Sequence, residues 1–128
     1  MKNAEDIESY LTHMEAQFEA VGDGIWVIKD IGPGLVLSIA DSVLVFRMKV
    51  MDASSVPAAH REGLFRKLLE LNAEEMLHGA YGLESDGAIV VTDALQLQNL
   101  DYNEFQATVD DIGMAVRNHY PELSSFTA

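Results

Sequence analysis

Along residues 4–21 apolar side chains recur at the three-and-four spacing of a single helix face: Ile7, Tyr10, Leu11, Met14, Phe18 and Val21. This pattern predicts an amphipathic first helix. Asn3 is placed to cap it, Glu5, Asp6 and Glu8 suit its first turns, and Gly22-Asp23-Gly24 stops it. The period then changes. Ile25–Ile28, Leu35–Ile39 and Val43 to about Met51 are short apolar runs bounded by turn residues. In the third run Leu44, Phe46, Met48 and Val50 share one face, while Val43, Val45, Arg47, Lys49 and Met51 share the other. The short links between the three runs predict antiparallel pairing.

The second half repeats the alternation of helix and strands. Pro57 suits a helix start, and Leu64, Phe65, Leu68, Leu69 and Leu71 predict a second amphipathic helix over 58–72. A strand at Ala80–Leu83 meets the hairpin signal Glu84-Ser85-Asp86-Gly87, and a return strand runs from Ile89 to about Leu97. Asp101 and Glu104 have capping-box spacing before a last helix. Its predicted buried stripe is Phe105, Val109, Ile112, Val116 and Tyr120, and Pro121 is its predicted end. The fold class expected is therefore α+β: a twisted antiparallel sheet flanked by helices, in the order α-β-β-β-α-β-β-α. One domain over residues 1–128 is expected, with no repeat or linker.

Composition narrows the classes of function. The chain has 21 acidic against 8 basic residues, a formal net charge of −13. Such a surface repels nucleic acid and anionic membranes, which select clustered positive charge. No apolar stretch approaches the roughly 18 residues of a membrane span. Cysteine is absent, so neither a disulfide nor a thiolate is available. These features together predict a cytoplasmic protein. The 48 % hydrophobic content exceeds what a one-sided sheet needs: Ile25–Ile28 and Ile89-Val90-Val91 are apolar on consecutive positions. A sheet apolar on both faces predicts either strand ends buried within the monomer or a surface that meets a second sheet surface, a sister subunit or a bound partner.

Chemistry is sparse. The histidines at 13, 60, 78 and 119 show no metal-ligand spacing, and no nucleophile elbow surrounds a serine. Gly22-x-Gly24 and Gly32-x-Gly34 precede strands, not the helix N-terminus a phosphate would need. Asp110-Asp111 and Glu74-Glu75 are helix neighbours that diverge around the axis, as solvated faces do. No catalytic residue, cofactor or metal is expected.

Residues 64–123 carry a resemblance. Leu68-Leu69-Glu70-Leu71-Asn72, then Leu77-His78-Gly79-Ala80-Tyr81-Gly82-Leu83, then Asp86-Gly87 and the strand into Leu100-Asp101 are similar to a known pattern. It is that of the YbjN-like domain and the related type III secretion chaperones of the CesT kind. His119-Tyr120-Pro121-Glu122-Leu123 resembles the YbjN-like branch more. The resemblance implies a non-enzymatic domain, often a homodimer, that holds an extended segment of a partner protein. By position it implies a dimer surface at Leu68, Leu71, Tyr81 and Leu83. It implies a partner surface at Phe18, Ile25, Val27, Val36 and Leu37. A regulatory domain without secretion clients and, from a different class, a small-ligand-binding domain stay open as alternatives.

Overall fold

The computed structural model describes residues 1–128. The elements run α1 (Ala4–His13), β1 (Phe18–Gly22), β2 (Ile25–Ile28), β3 (Leu35–Ala40), β4 (Val43–Asp52), a 3-10 turn at Ala53–Ser55, α2 (Ala58–Glu74), β5 (Ala80–Leu83), β6 (Ala88–Gln96) and α3 (Tyr102–Ser125). All six strands join one antiparallel sheet in the order β1-β2-β3-β4-β6-β5. The α+β class and the antiparallel sheet with three helices are as expected, with one strand more than the pattern suggested.

That strand comes from the end of the predicted first helix. Asn3 caps α1 through a full capping box with Asp6, but the helix stops at His13. Glu15 then takes a left-handed backbone, with φ of 58°, and Phe18–Gly22 pairs with β2. Phe18 and Val21 fit the helical period yet lie on a strand, because pairing with β2 satisfies that backbone better than another helical turn.

The helices cover one face of the sheet. Trp26, Ile28, Leu35, Leu37, Leu44, Phe46, Met48, Ile89 and Val91 point toward them and join Ile7, Leu11, Leu64, Leu68, Phe105, Val109 and Ile112 in one core. Trp26, Phe46 and Phe105 are its largest fully buried side chains. Each such side chain contributes on the order of 1.5–3 kcal/mol by leaving water. The alternation read in β4 holds: Leu44, Phe46, Met48 and Val50 are buried and Lys49 is exposed.

Three expectations about helices are corrected. Pro121 lies inside α3, which continues to Ser125. A helix-interior proline costs about 3 kcal/mol, and the turn beyond it persists because Leu123 is fully buried and Phe126 packs on Gly63 of α2. Tyr120 is 47 % exposed, while its neighbour His119 takes the buried position. In α2 the buried stripe is Leu64, Leu68 and Leu71, and Leu69 points to solvent.

Candidate partner-binding surface

Strand pairing carries side chains in rows across the sheet, and the rows on the helix-free face define a surface. One row crosses all six strands: Glu19, Val27, Val36, Arg47, Thr92 and Ala80. The next contains Ile25, Ser38, Val45 and Ala94, and the one beyond it Ala40, Val43 and Gln96. Val27, Val36, Val43 and Val45 are half-buried although no helix lies over them, and Ile25 is exposed. The result is an apolar stripe over β2, β3 and β4.

Ion pairs bound this stripe. Lys29 Nζ lies 3.4 Å from Glu19 on the β1–β2 side, and Lys49 Nζ lies 2.9 Å from Asp52. Arg47 donates from Nε and Nη2 to the two Glu84 oxygens at 2.9 and 2.6 Å. This fork crosses β6 from β4 to the end of β5. It holds the Glu84 carboxyl below its ordinary range, through the hydrogen bond first, and raises the Arg47 guanidinium. The charged residues around the stripe are thus largely neutralised by one another, in a chain that elsewhere is strongly acidic.

The two sheet edges differ. At β5 the period-two alternation turns the N–H and C=O of Tyr81 away from β6, since Glu84 N–H donates inward to Ala88. Asn72, in the last turn of α2, takes both groups: Tyr81 N–H donates to Asn72 Oδ1 at 2.7 Å, and Asn72 Nδ2 donates to the Tyr81 carbonyl at 3.0 Å. At β1 the bond from Lys29 N–H to the Gln17 carbonyl points inward, so Phe18 and Ala20 present their backbone groups outward. No side chain caps them, and β1 from Glu19 to Gly22 is exposed.

The expected partner-surface residues separate accordingly. Phe18, Ile25, Val27 and Val36 lie on β1, β2 and β3 with Ile25, Val27 and Val36 on the open face. Leu37 lies on the opposite face and is fully buried beneath the helices, so its side chain belongs to the core; alternation along β3 decides this. Of the expected dimer residues, Leu68, Leu71 and Tyr81 are also core, and only Leu83 is exposed. Leu69 on α2 and Leu77 in the α2–β5 loop are likewise exposed. Asn72 was readable only as part of a helix-end motif; its bond to a strand edge depends on tertiary placement.

Two polar ties join the α2–β5 region to α3. His78 Nδ1 lies 2.5 Å from Asp111, and buried His119 sits between the Tyr81 hydroxyl (2.8 Å) and Glu75 (3.3 Å). Asp111 thus serves the fold through His78. A groove of about 640 Å³ also runs beside α3, floored by Met48, Val50, Val109 and Val116 and edged by Asp30 and Arg117.

An uncapped strand edge thus runs into an apolar sheet face. The CesT_Tir_1 family model matches residues 1–128, and the chain belongs to this family. No curated protein matches it in sequence. Among solved structures it is similar to a chain of the heterodimeric ExoU–SpcU complex of the Pseudomonas aeruginosa type III secretion system, at 16 % identity and a TM-score of 0.71, covering 90 % of this chain and 95 % of that one. It is similar to YbjN from E. coli at 14 % identity and a TM-score of 0.67, covering 94 % and 93 %. A third similarity is to the complex of the Yersinia pestis type III secretion chaperone SycH with a stable fragment of YscM2, at 13 % identity and a TM-score of 0.63, covering 90 % and 97 %.

Proposed function

We propose that this chain is a non-catalytic, chaperone-like binding module of the cytoplasm that receives an extended segment of another protein. The observation that carries the reading is the continuity of the uncapped β1 edge with the apolar stripe of Ile25, Val27, Val36 and Val45. A partner strand laid along β1 bonds to the outward groups of Phe18 and Ala20, and its alternate side chains reach the open face. The net charge of −13 on the chain as a whole favours a basic segment and raises its encounter rate. A homodimer is read on the far side, where Leu69, Leu77 and Leu83 are exposed around α2 and β5. The two surfaces lie at opposite edges of six strands, about 24 Å apart at normal strand spacing, so a dimer leaves both partner sites free.

The similarity to YbjN supports a second reading in which the chain is a regulatory domain without secretion clients. Capture from the source lysate separates the two by the identity of what is recovered. The surface itself is tested with two variants, Val27→Asp on the open face and Ala20→Pro on the edge. Proline is tolerated on an edge strand where its missing N–H faces outward. Either variant, still folded by circular dichroism, is expected to weaken the recovered client by about tenfold or more, roughly 1.4 kcal/mol. Undiminished binding by both removes this surface from consideration.

A further inference from the structure

We infer that Asn72 closes the β5 edge against strand pairing and so leaves β1 as the one edge open to an added strand. Closure of β5 stands on geometry alone; the choice of β1 rests on the function proposed above.

A side-chain amide offers one acceptor and two donors, and Asn72 spends an acceptor and a donor on the outward N–H and C=O of one strand residue, Tyr81. It thereby occupies the place of a neighbouring strand. β5 has only four residues, Ala80–Leu83, and alternation turns only Tyr81 and Leu83 outward within it. Blocking Tyr81 removes the centre of any ladder that could form there. The protection matters because little else guards this edge. Gly82 has nothing within 4 Å of where a side chain would begin, and Leu83 is 54 % exposed. An uncharged, apolar edge is a template for association with another copy. Asn72 is held for the task by α2, where Leu68 and Leu71 are buried on the core and fix the rotation of the last turn. The leucines set the helix, and the asparagine faces the strand. A dimer through Leu69, Leu77 and Leu83 therefore forms by side-chain packing, and not by joining two sheets at β5.

The test uses the full chain and two substitutions. Asn72→Ala removes both bonds and is expected to bring association beyond that of the unsubstituted chain, seen as a concentration-dependent, roughly doubled mass in sedimentation equilibrium. Asn72→Asp keeps the acceptor for Tyr81 N–H, loses the donor, and sets a carboxylate on the edge. It is expected to lose stability without gaining association, which separates edge opening from general weakening. Exchange of the Tyr81 amide proton supplies the second readout: protected in the unsubstituted chain, at least about tenfold faster in dilute Asn72→Ala, and protected again on association. Unchanged mass in Asn72→Ala together with a freely exchanging Tyr81 amide overturns the proposal, as does equal association in both variants. If Asn72→Ala does not fold, rapid exchange of the Tyr81 amide in the unsubstituted chain overturns it and slow exchange supports it. A client that binds Ala20→Pro unchanged removes β1 as the receiving edge without touching either readout at Asn72.

Discussion

Tyr81 bears two polar connections of different kinds: its backbone is held by Asn72, and its hydroxyl by His119. Burial, with help from the Glu75 charge, pushes the phenol far above its ordinary range, and its hydroxyl lies 2.8 Å from His119 Nδ1. The other ring nitrogen, Nε2, lies 3.3 Å from Glu75. Replacing Tyr81 by Phe leaves a buried ring nitrogen without its hydrogen-bond partner, at a cost of about 1–3 kcal/mol. The urea midpoint of Tyr81→Phe is expected to fall accordingly. A midpoint equal to that of the unsubstituted chain would show that solvent reaches His119 and that the bond contributes nothing. None of this was legible from the sequence, where His119 was one unpaired histidine beside a tyrosine. The helical spacing of Phe105, Val109, Ile112 and Val116 leads to Tyr120, and a single step around the helix decides which of two adjacent polar aromatics enters the core.

At the scale of elements, the fork between Arg47 and Glu84 ties β4 to the end of β5 across β6. The sheet's register makes this possible, and its sign with pH follows from the lowered Glu84 carboxyl. A carboxyl that ionises more easily when folded contributes stability above its ordinary value of 4.5 and loses it as pH falls through the lowered folded value. Both side chains are well exposed, so the effect is small. Thermal unfolding of Glu84→Gln is expected to differ from that of the unsubstituted chain above pH 5 and to converge with it in stronger acid. A difference independent of pH would assign the effect to packing instead. Elements themselves were legible where period and punctuation agreed. Strands β3 and β4 were framed by Gly-Pro-Gly and Asp-Ser, and the alternation in β4 divided its core side from its mixed side, whereas Val36 and Leu37 of β3 were placed together although they face opposite ways. Strand β1 was not framed in this way, because Met14, Phe18 and Val21 continue the helical spacing and no glycine or proline interrupts them. Its break falls at Glu15, a residue that does not announce a left-handed turn. The burial of Leu37 could be read from its place in β3 only once the side facing the helices was known.

For the whole molecule the governing quantity is the charge of −13 per chain, which acts in opposite senses on the two proposed associations. Two copies meeting through Leu69, Leu77 and Leu83 bring like charges together, so their attraction is apolar and their opposition electrostatic. A basic segment approaching β1 is drawn by that same charge. Raising ionic strength from about 0.01 M to about 0.15 M shortens the screening length from roughly 30 Å to roughly 8 Å. Self-association measured by sedimentation is expected to tighten over this range, and capture of the client segment to weaken, chiefly through a slower association rate. Neutral replacements make the assignment specific: Leu69→Gln with Leu83→Gln should reduce self-association at every salt concentration and leave client binding unchanged. If salt instead tightens both, the partner is held by apolar contact alone and its basic character is wrong. If salt weakens both, the dimer rests on ion pairs, and the exposed leucines are not its centre.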